Sequence, residues 1–344
     1  MPELALLILV IAAAIGFGLV NGFNDAANSV AASIGSRAIS PLSAIILAAL
    51  FTFAGAASGL EVAKTIGKGI LLSDAILYET LFASLIAVIV WVSIATRHGL
   101  PVSSTHSLVA GLAGAGIASA RGMDAVQWGV IQPVLASVAT APALGFVGGF
   151  TIVIVLLRMF SRSTPVKIRV IFSRLQWLTT AFLAYSLGKN NGQMPIGLIA
   201  MALVIFYNRT GQFGQAAAVW SEITIGGNLW WVIVISSLAI SAGTAIGGWR
   251  VIKTVGFKIT ALQPIHGFAT DFSAATVIEI ASRLGIPVSS THCATAAVMG
   301  VGATKRLSAV RWGLTKNIVL AWVLTFPICA ALGWMVASVL KLAL

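Results

Sequence analysis

Three consecutive hydroxyl side chains, Ser103, Ser104 and Thr105, follow a Pro-Val pair and precede His106, and the same run returns as Ser289, Ser290, Thr291 and His292. Both belong to one phrase, Gly-Leu/Ile-Pro-Val-Ser-Ser-Thr-His, at 99–106 and 285–292. Proline followed by Ser and Thr, ahead of the apolar runs Leu108–Ala118 and Ala294–Val301, predicts a helix N-terminus in each place. The first amides of a helix have no internal partner and carry the positive end of its dipole. Two such starts with their hydroxyls offer a tetrahedral oxyanion many hydrogen bonds without a fixed arginine. Plain helix capping uses the same residues. The duplication favours a shared site, because a polar break in hydrocarbon survives only if it is buried in protein or lines a cavity.

A second set of residues suits a cation. Asp25 lies after a long apolar run, flanked by Asn24 and Asn28, and an acid at membrane depth costs at least ~2.5–3.5 kcal/mol. Carboxylate and amide oxygens are hard ligands suited to Na⁺, and a carboxylate alone can carry a proton. The matching position in the second half is Asn191, beside Asn190, so the pair is chemically asymmetric. Asp271 and Glu279 have no acidic counterpart in the first half, and each is either a proton carrier or a packing partner of Arg283 or Lys258. Lys189 either neutralises an anion or snorkels to the interface. His106 and His292 either orient the hydroxyls and titrate, or serve structure alone.

The chain that must position these groups is lipid-like. Of 344 residues, 58% are hydrophobic and 9% charged, with mean hydropathy +1.00. Runs such as Leu6–Ala14, Ile45–Ala57, Leu85–Ala95, Phe146–Leu157, Ile196–Phe206, Trp231–Ile240 and Ile318–Val336 mark the cores of helices, and roughly eight to eleven membrane segments fit. The first run continues into Asn24 and Asp25 without an Ala-x-Ala cleavage pattern, so it reads as a retained helix. The net charge of +12 is scattered between apolar runs, which argues against a nucleic-acid partner and for topology signalling. Its densest cluster, Arg158 to Arg174, marks a cytoplasmic loop. The two cysteines, Cys293 and Cys329, support neither a disulfide framework nor a zinc site, and nothing calls for a cofactor or a metal beyond Na⁺.

Repeats give the organisation. Lys64-Thr65-Ile66-Gly67 returns as Lys253-Thr254-Val255-Gly256, and Val126-Gln127-Trp128-Gly129 as Val310-Arg311-Trp312-Gly313. Gly22-Phe23-Asn24-Asp25 is echoed by Gly188-Lys189-Asn190-Asn191. The expected fold is an all-α polytopic membrane protein of two inverted repeats, each with a broken helix and a re-entrant hairpin. The first repeat spans 1–160, a basic cytoplasmic linker 161–175 and the second repeat 176–344. Ala125 to Leu157 fits one long helix or two short ones divided near Pro142.

Together these motifs resemble the PiT family of inorganic phosphate transporters. Gly22 to Asn28 resembles its G-x-N-D-x-x-N signature, Gly188 to Gln193 its G-x-N-D-G-Q counterpart, and both Pro-Val-Ser-Ser-Thr-His hairpins match. Pro264 to Asp271 is similar to the segment before the second hairpin in the bacterial branch. The resemblance implies a multi-pass plasma-membrane symporter, homodimeric by family analogy, that moves inorganic phosphate with H⁺ or Na⁺. It implies phosphate contacts from Ser103, Ser104, Thr105, Ser289, Ser290 and Thr291, and cation contacts from Asn24, Asp25, Asn28, Asn190 and Asn191. Asn191 departs from the family's usual Asp and Met194 from a commonly polar position. Sulfate or another tetrahedral oxyanion remains an alternative substrate, a passive anion channel an alternative mechanism, and an intramembrane serine hydrolase using Ser103 or Ser289 with a hairpin histidine a remote one.

Overall fold

The computed structural model describes residues 3–72, 75–120 and 122–343. Every apolar run named above is helical, save Ala57 at the end of its run. The first half contains α1 (Glu3–Gly35), α2 (Pro41–Ala56), α3 (Glu61–Gly69), α4 (Tyr78–Arg97), α5 (Ser104–Ala120) and α6 (Trp128–Met159). The second contains α7 (Pro165–Leu187), a π-helical turn (Gly188–Gly192), α8 (Gln193–Arg209), α9 (Phe213–Glu222), α10 (Trp230–Ile246), α11 (Trp249–Lys253) with a π turn (Thr254–Lys258), α12 (Pro264–Arg283), α13 (Ser290–Ala303) and α14 (Trp312–Ala343). The element orders match when α7 and α8 together stand for α1, and α9 is the additional piece.

Among the described residues, α1, α4, α6 and α14 are long and apolar enough to cross a membrane, and the bent pairs α2–α3 (66°) and α10–α11 (56°) raise the number to as many as six if each is one span. Helices such as α8 and α12 fall outside that set, being shorter or more polar, and both are largely buried in protein. The matched bends supply a broken helix in each half. The Asn-Asp motif is not itself a break, since Asp25 lies inside an uninterrupted α1 instead of after its end; only the second copy loosens, into the Gly188–Gly192 π turn. Residues 128–159 form one helix despite Pro133 and Pro142.

The halves interlock. Helix α1 packs on α10, α2 on α7, α5 on α14 and α6 on α13, so each of these pairs joins first-half to second-half residues. Each contact is sealed by reciprocal glycines: Gly22 and Gly243, Gly55 and Gly188, Gly114 and Gly333, Gly145 and Gly300 each lie against the facing helix backbone, where a Cβ would overlap a carbonyl. Without a hydrophobic drive between helices in lipid, such close approach is a main source of association.

Candidate functional site

The repeated phrase folds the same way twice. Gly99 (φ 73°) and Gly285 (φ 68°) end α4 and α12 in the left-handed region that favours glycine, and Leu100 and Ile286 donate their amides back to Ala95 and Ala281 at 3.0 and 2.9 Å. Pro101 and Pro287 stop the helices from continuing, and Ser103 and Ser289 cap the next ones, each Oγ accepting from the amide of the following histidine at 3.2 Å. The predicted helix starts are therefore present, at Ser104 and Ser290. The hydroxyl protons of the two caps are left free to donate.

The two tips cross. Thr105 Oγ1 donates to the carbonyl of Val288 at 3.3 Å, and Thr291 Oγ1 donates to that of Val102 at 3.2 Å, so each hairpin holds the other's backbone. All six hydroxyl residues are at most 2% exposed. The asparagine motifs brace them from outside: Asn24 Nδ2 donates to Val102 O at 3.0 Å and Asn190 Nδ2 to Val288 O at 2.8 Å.

Between the tips lies the asymmetric pair. Asp25 accepts from Asn28 Nδ2 at 3.0 Å through Oδ1 and from Asn191 Nδ2 through Oδ2. Asn28 also donates to Thr291 Oγ1 at 2.8 Å, and Asn191 to Ser290 Oγ at 2.7 Å. Thr105 reaches Asn191 Oδ1 at 3.3 Å. Apart from Ser103 and Ser289, whose bonds stay within their own helix starts, the predicted anion and cation residues thus form one buried network. Asn28 Oδ1 is buried there without a partner, a hard oxygen beside the only carboxylate of the cluster.

Other predicted residues lie elsewhere. Lys189 Nζ pairs with Glu279 Oε1 at 3.1 Å, and Arg283 Nε reaches the same oxygen at 2.7 Å. Lys189 is therefore bound neither for an anion nor for the interface, and Glu279 is a packing partner instead of a free proton carrier. Asp271 is fully buried on α12, accepts from Thr180 Oγ1 at 2.8 Å and has Gln176 beside it, outside the network of the tips. The histidine rings meet edge to face at 4.8 Å, His292 stacks on Trp322 at 4.1 Å, and His106 Nε2 lies 3.1 Å from Ser137 Oγ. Neither imidazole bonds a hairpin serine hydroxyl, which removes the geometry a serine hydrolase needs.

Sequence reasoning missed several braces. Asn21 accepts from Ser104 Oγ at 2.6 Å and Thr96 donates to Asn24 Oδ1 at 3.2 Å. Gln193 Oε1 accepts the amide of Val62 at 2.9 Å, and Trp322 Nε1 donates to Pro101 O at 2.8 Å. Asn21 carried a signal, being an amide in an apolar helix; Trp322 carried none.

A buried polar centre built jointly by two repeated helix starts, among helices several of which are long and apolar enough to cross a membrane, is the architecture of a membrane transporter. The sequence profile of the phosphate transporter family matches residues 21–333. A Rhizobium meliloti protein described as "Probable low-affinity inorganic phosphate transporter" is 38% identical over 329 residues, 95% of this chain and 94% of that one. A Bacillus subtilis protein of the same description is 36% identical over 334 residues, 96% of each chain. A solved structure described as "The sodium-dependent phosphate transporter" superposes with TM-score 0.83 at 28% identity, covering 99% of this chain and 100% of that one. The chain belongs to the phosphate transporter family.

Proposed function

We propose that this protein is a multi-pass plasma-membrane symporter that takes up inorganic phosphate with a cation, by alternating access of two inverted repeats about the crossed hairpin tips. The observation that carries this reading is the reciprocal pair of bonds from Thr105 to Val288 and from Thr291 to Val102, which makes one site of two hairpins. Phosphate is held by Ser103, Ser104, Ser289 and Ser290, with Thr105 and Thr291 turning from the tip carbonyls to the anion when it binds. Interhelical hydrogen bonds in membranes average only ~0.6 kcal/mol, so exchanging them for charge-assisted bonds of about 1.5–3 kcal/mol to an anion is favourable.

The cation lies at Asp25, with the oxygens of Asn24, Asn28, Asn190 and Asn191 as its remaining ligands. Na⁺ is favoured by the oxygen-only donor set and by the sodium dependence in the solved relative's description. Asp271 is the candidate carrier if protons contribute. The repeats are taken as residues 1–160 and 176–344, with the basic stretch 161–175 between them on the cytoplasmic side, although from Pro165 on it is already the start of α7 and not a loop, and the assembly is a homodimer by family analogy.

The test is uptake of labelled phosphate into proteoliposomes under an imposed Na⁺ gradient and, separately, a proton gradient. Accumulation against the phosphate gradient under one of them is expected. Its absence under both, with correctly inserted protein, contradicts symport; currents driven by voltage alone would indicate a channel.

A further inference from the structure

One mouth of the molecule carries cations that the central site does not use. Two adjoining cavities of about 590 and 610 Å³ share Phe257, Thr260 and Ala261 as a common wall. Arg37 and Arg169 line the first, Lys305, Arg306 and Arg311 line the second, and among the described lining residues there is no acid. Thr260, in the shared wall, is 5% exposed, and its Oγ1 has no hydrogen-bond partner. A buried hydroxyl left unpaired is costly, so a ligand that bonds it is favoured. The amino end of the 20-residue α12 opens into the first cavity through Gln263, Pro264 and Ile265, adding the positive end of its dipole.

The repeat-related mouth is an internal control. There Gln127 donates its amide to Ile70 O at 3.0 Å, as Arg311 does to Ile259 O at 3.0 Å. Trp128 and Trp312 each bond the carbonyl five residues back, at 3.2 and 2.8 Å. On this shared backbone Leu71 stands where Thr260 stands, and Gln127 where Arg311 stands. The cavity at that mouth, about 520 Å³, has Arg209 as its one cation among the described lining residues, and Arg209 is paired with Glu3 at 3.3 Å. The backbone is repeated, but of the charges only Lys305 has a basic counterpart in the sequence, Arg121, which lies outside the described residues; Arg306 and Arg311 are matched by Gly122 and Gln127.

We propose that the basic mouth is a second binding site for a phosphate group, with Arg306, Arg311 and Arg37 around the anion and the Thr260 hydroxyl beneath it. The group is either free inorganic phosphate or the headgroup of an anionic lipid; the free form would be substrate held at the mouth, and that half rests on the transport reading above. Ser36, in the cavity wall just past the end of α1, leads to a buried polar line on that helix through Ser33 and Ser29 to Asp25, so one helix face runs from this mouth to the central network.

The experiment places a reporter in the wall by Ser308→Cys in the full-length protein. Cys293 and Cys329 are both 0% exposed, so a maleimide reads the introduced thiol alone. One arm adds inorganic phosphate in uncharged detergent, with chloride at matched ionic strength as reference. The other replaces phosphatidylcholine with phosphatidylglycerol in nanodiscs free of inorganic phosphate. Alkylation slowed about threefold or more by phosphate, retained with Ser104→Ala/Ser290→Ala and lost with Arg306→Gln/Arg311→Gln, identifies a free-anion site. Slowing by phosphatidylglycerol alone, lost with the same arginine changes, identifies a lipid headgroup site.

Thr260→Val, which keeps the side-chain volume, is expected to weaken either protection. Protection by neither ligand, protection equalled by chloride, or protection that survives the arginine changes overturns the proposal and leaves these charges as topology signals. Phosphate protection that disappears with Ser104→Ala/Ser290→Ala also overturns it while leaving transport standing. Failure of uptake with protection intact refutes transport and not this site.

Discussion

The two hairpin tips and the two asparagine motifs that brace them have diverged to different degrees. The tips are near copies: the same glycine turn, serine cap and threonine bond across the centre. The braces are not. Asn24 and Asn190 hold the facing valine carbonyls alike, but Asp25 faces Asn191, and Asn28, which holds Thr291, has as its counterpart Met194, fully buried in an apolar cluster. The half of the site suited to an anion is two-fold, whereas its formal charge sits on one side. A tetrahedral ligand on a pseudo-axis needs matched donors from both halves; a cation needs one carboxylate, and the sequence retains only one.

The comparison breaks most directly at Asp25. Asp25→Asn, which keeps shape and removes charge, is expected to lower coupled phosphate uptake by at least about 100-fold, since buried charged bonds of about 1.5–3 kcal/mol each are lost together with the cation's anchor. Asn191→Ala, the mirror position, is expected to cost only about tenfold. Equal losses at the two positions would refute the asymmetry. Asn191→Asp sharpens the same point by restoring charge symmetry: the cation dependence of uptake is expected to steepen, because two facing carboxylates need a further cation or proton between them. An unchanged Hill coefficient for the cation would count against a cation at Asp25.

Packing offers a test of the interlocked halves. Gly300→Val and Gly145→Val place a side chain on the facing carbonyls of Phe146 and Cys293. Each is expected to lower the unfolding midpoint in detergent by several degrees, consistent with about 1–3 kcal/mol for an overpacked contact. The smallest effect is expected at Asp271→Asn. It leaves the tips intact, so any change is confined to the pH dependence of uptake; a flat pH profile in both proteins would remove Asp271 from coupling.

Much of this was legible in the sequence because the constraints are local. Glycine, proline and serine in fixed order dictate a helix stop, a break and a cap, and their repetition marked both tips before any contact was known. The buried positions of Asn24, Asp25, Asn190 and Asn191 followed from polar side chains in apolar surroundings. Three features were not legible. The pairing of Asp25 with Asn191 depends on helix crossing, which periodicity does not encode. The burial of Lys189 against Glu279 joins residues 90 apart in the chain, and neither motif named the other. The division of the apolar runs into separate helices was only partly legible, because an apolar run buried in protein looks the same as one in lipid.

The central claim is that both tips hold phosphate together. It is tested most directly by the phosphate KM of Ser104→Ala and Ser290→Ala, singly and combined, in proteoliposomes under the driving cation gradient. Each single change is expected to raise KM by a similar factor of about ten, and the pair by more than either, as loss of one charge-assisted bond per hairpin requires. A KM unchanged in the double variant would show that the hydroxyls only build helix starts, and would contradict the account.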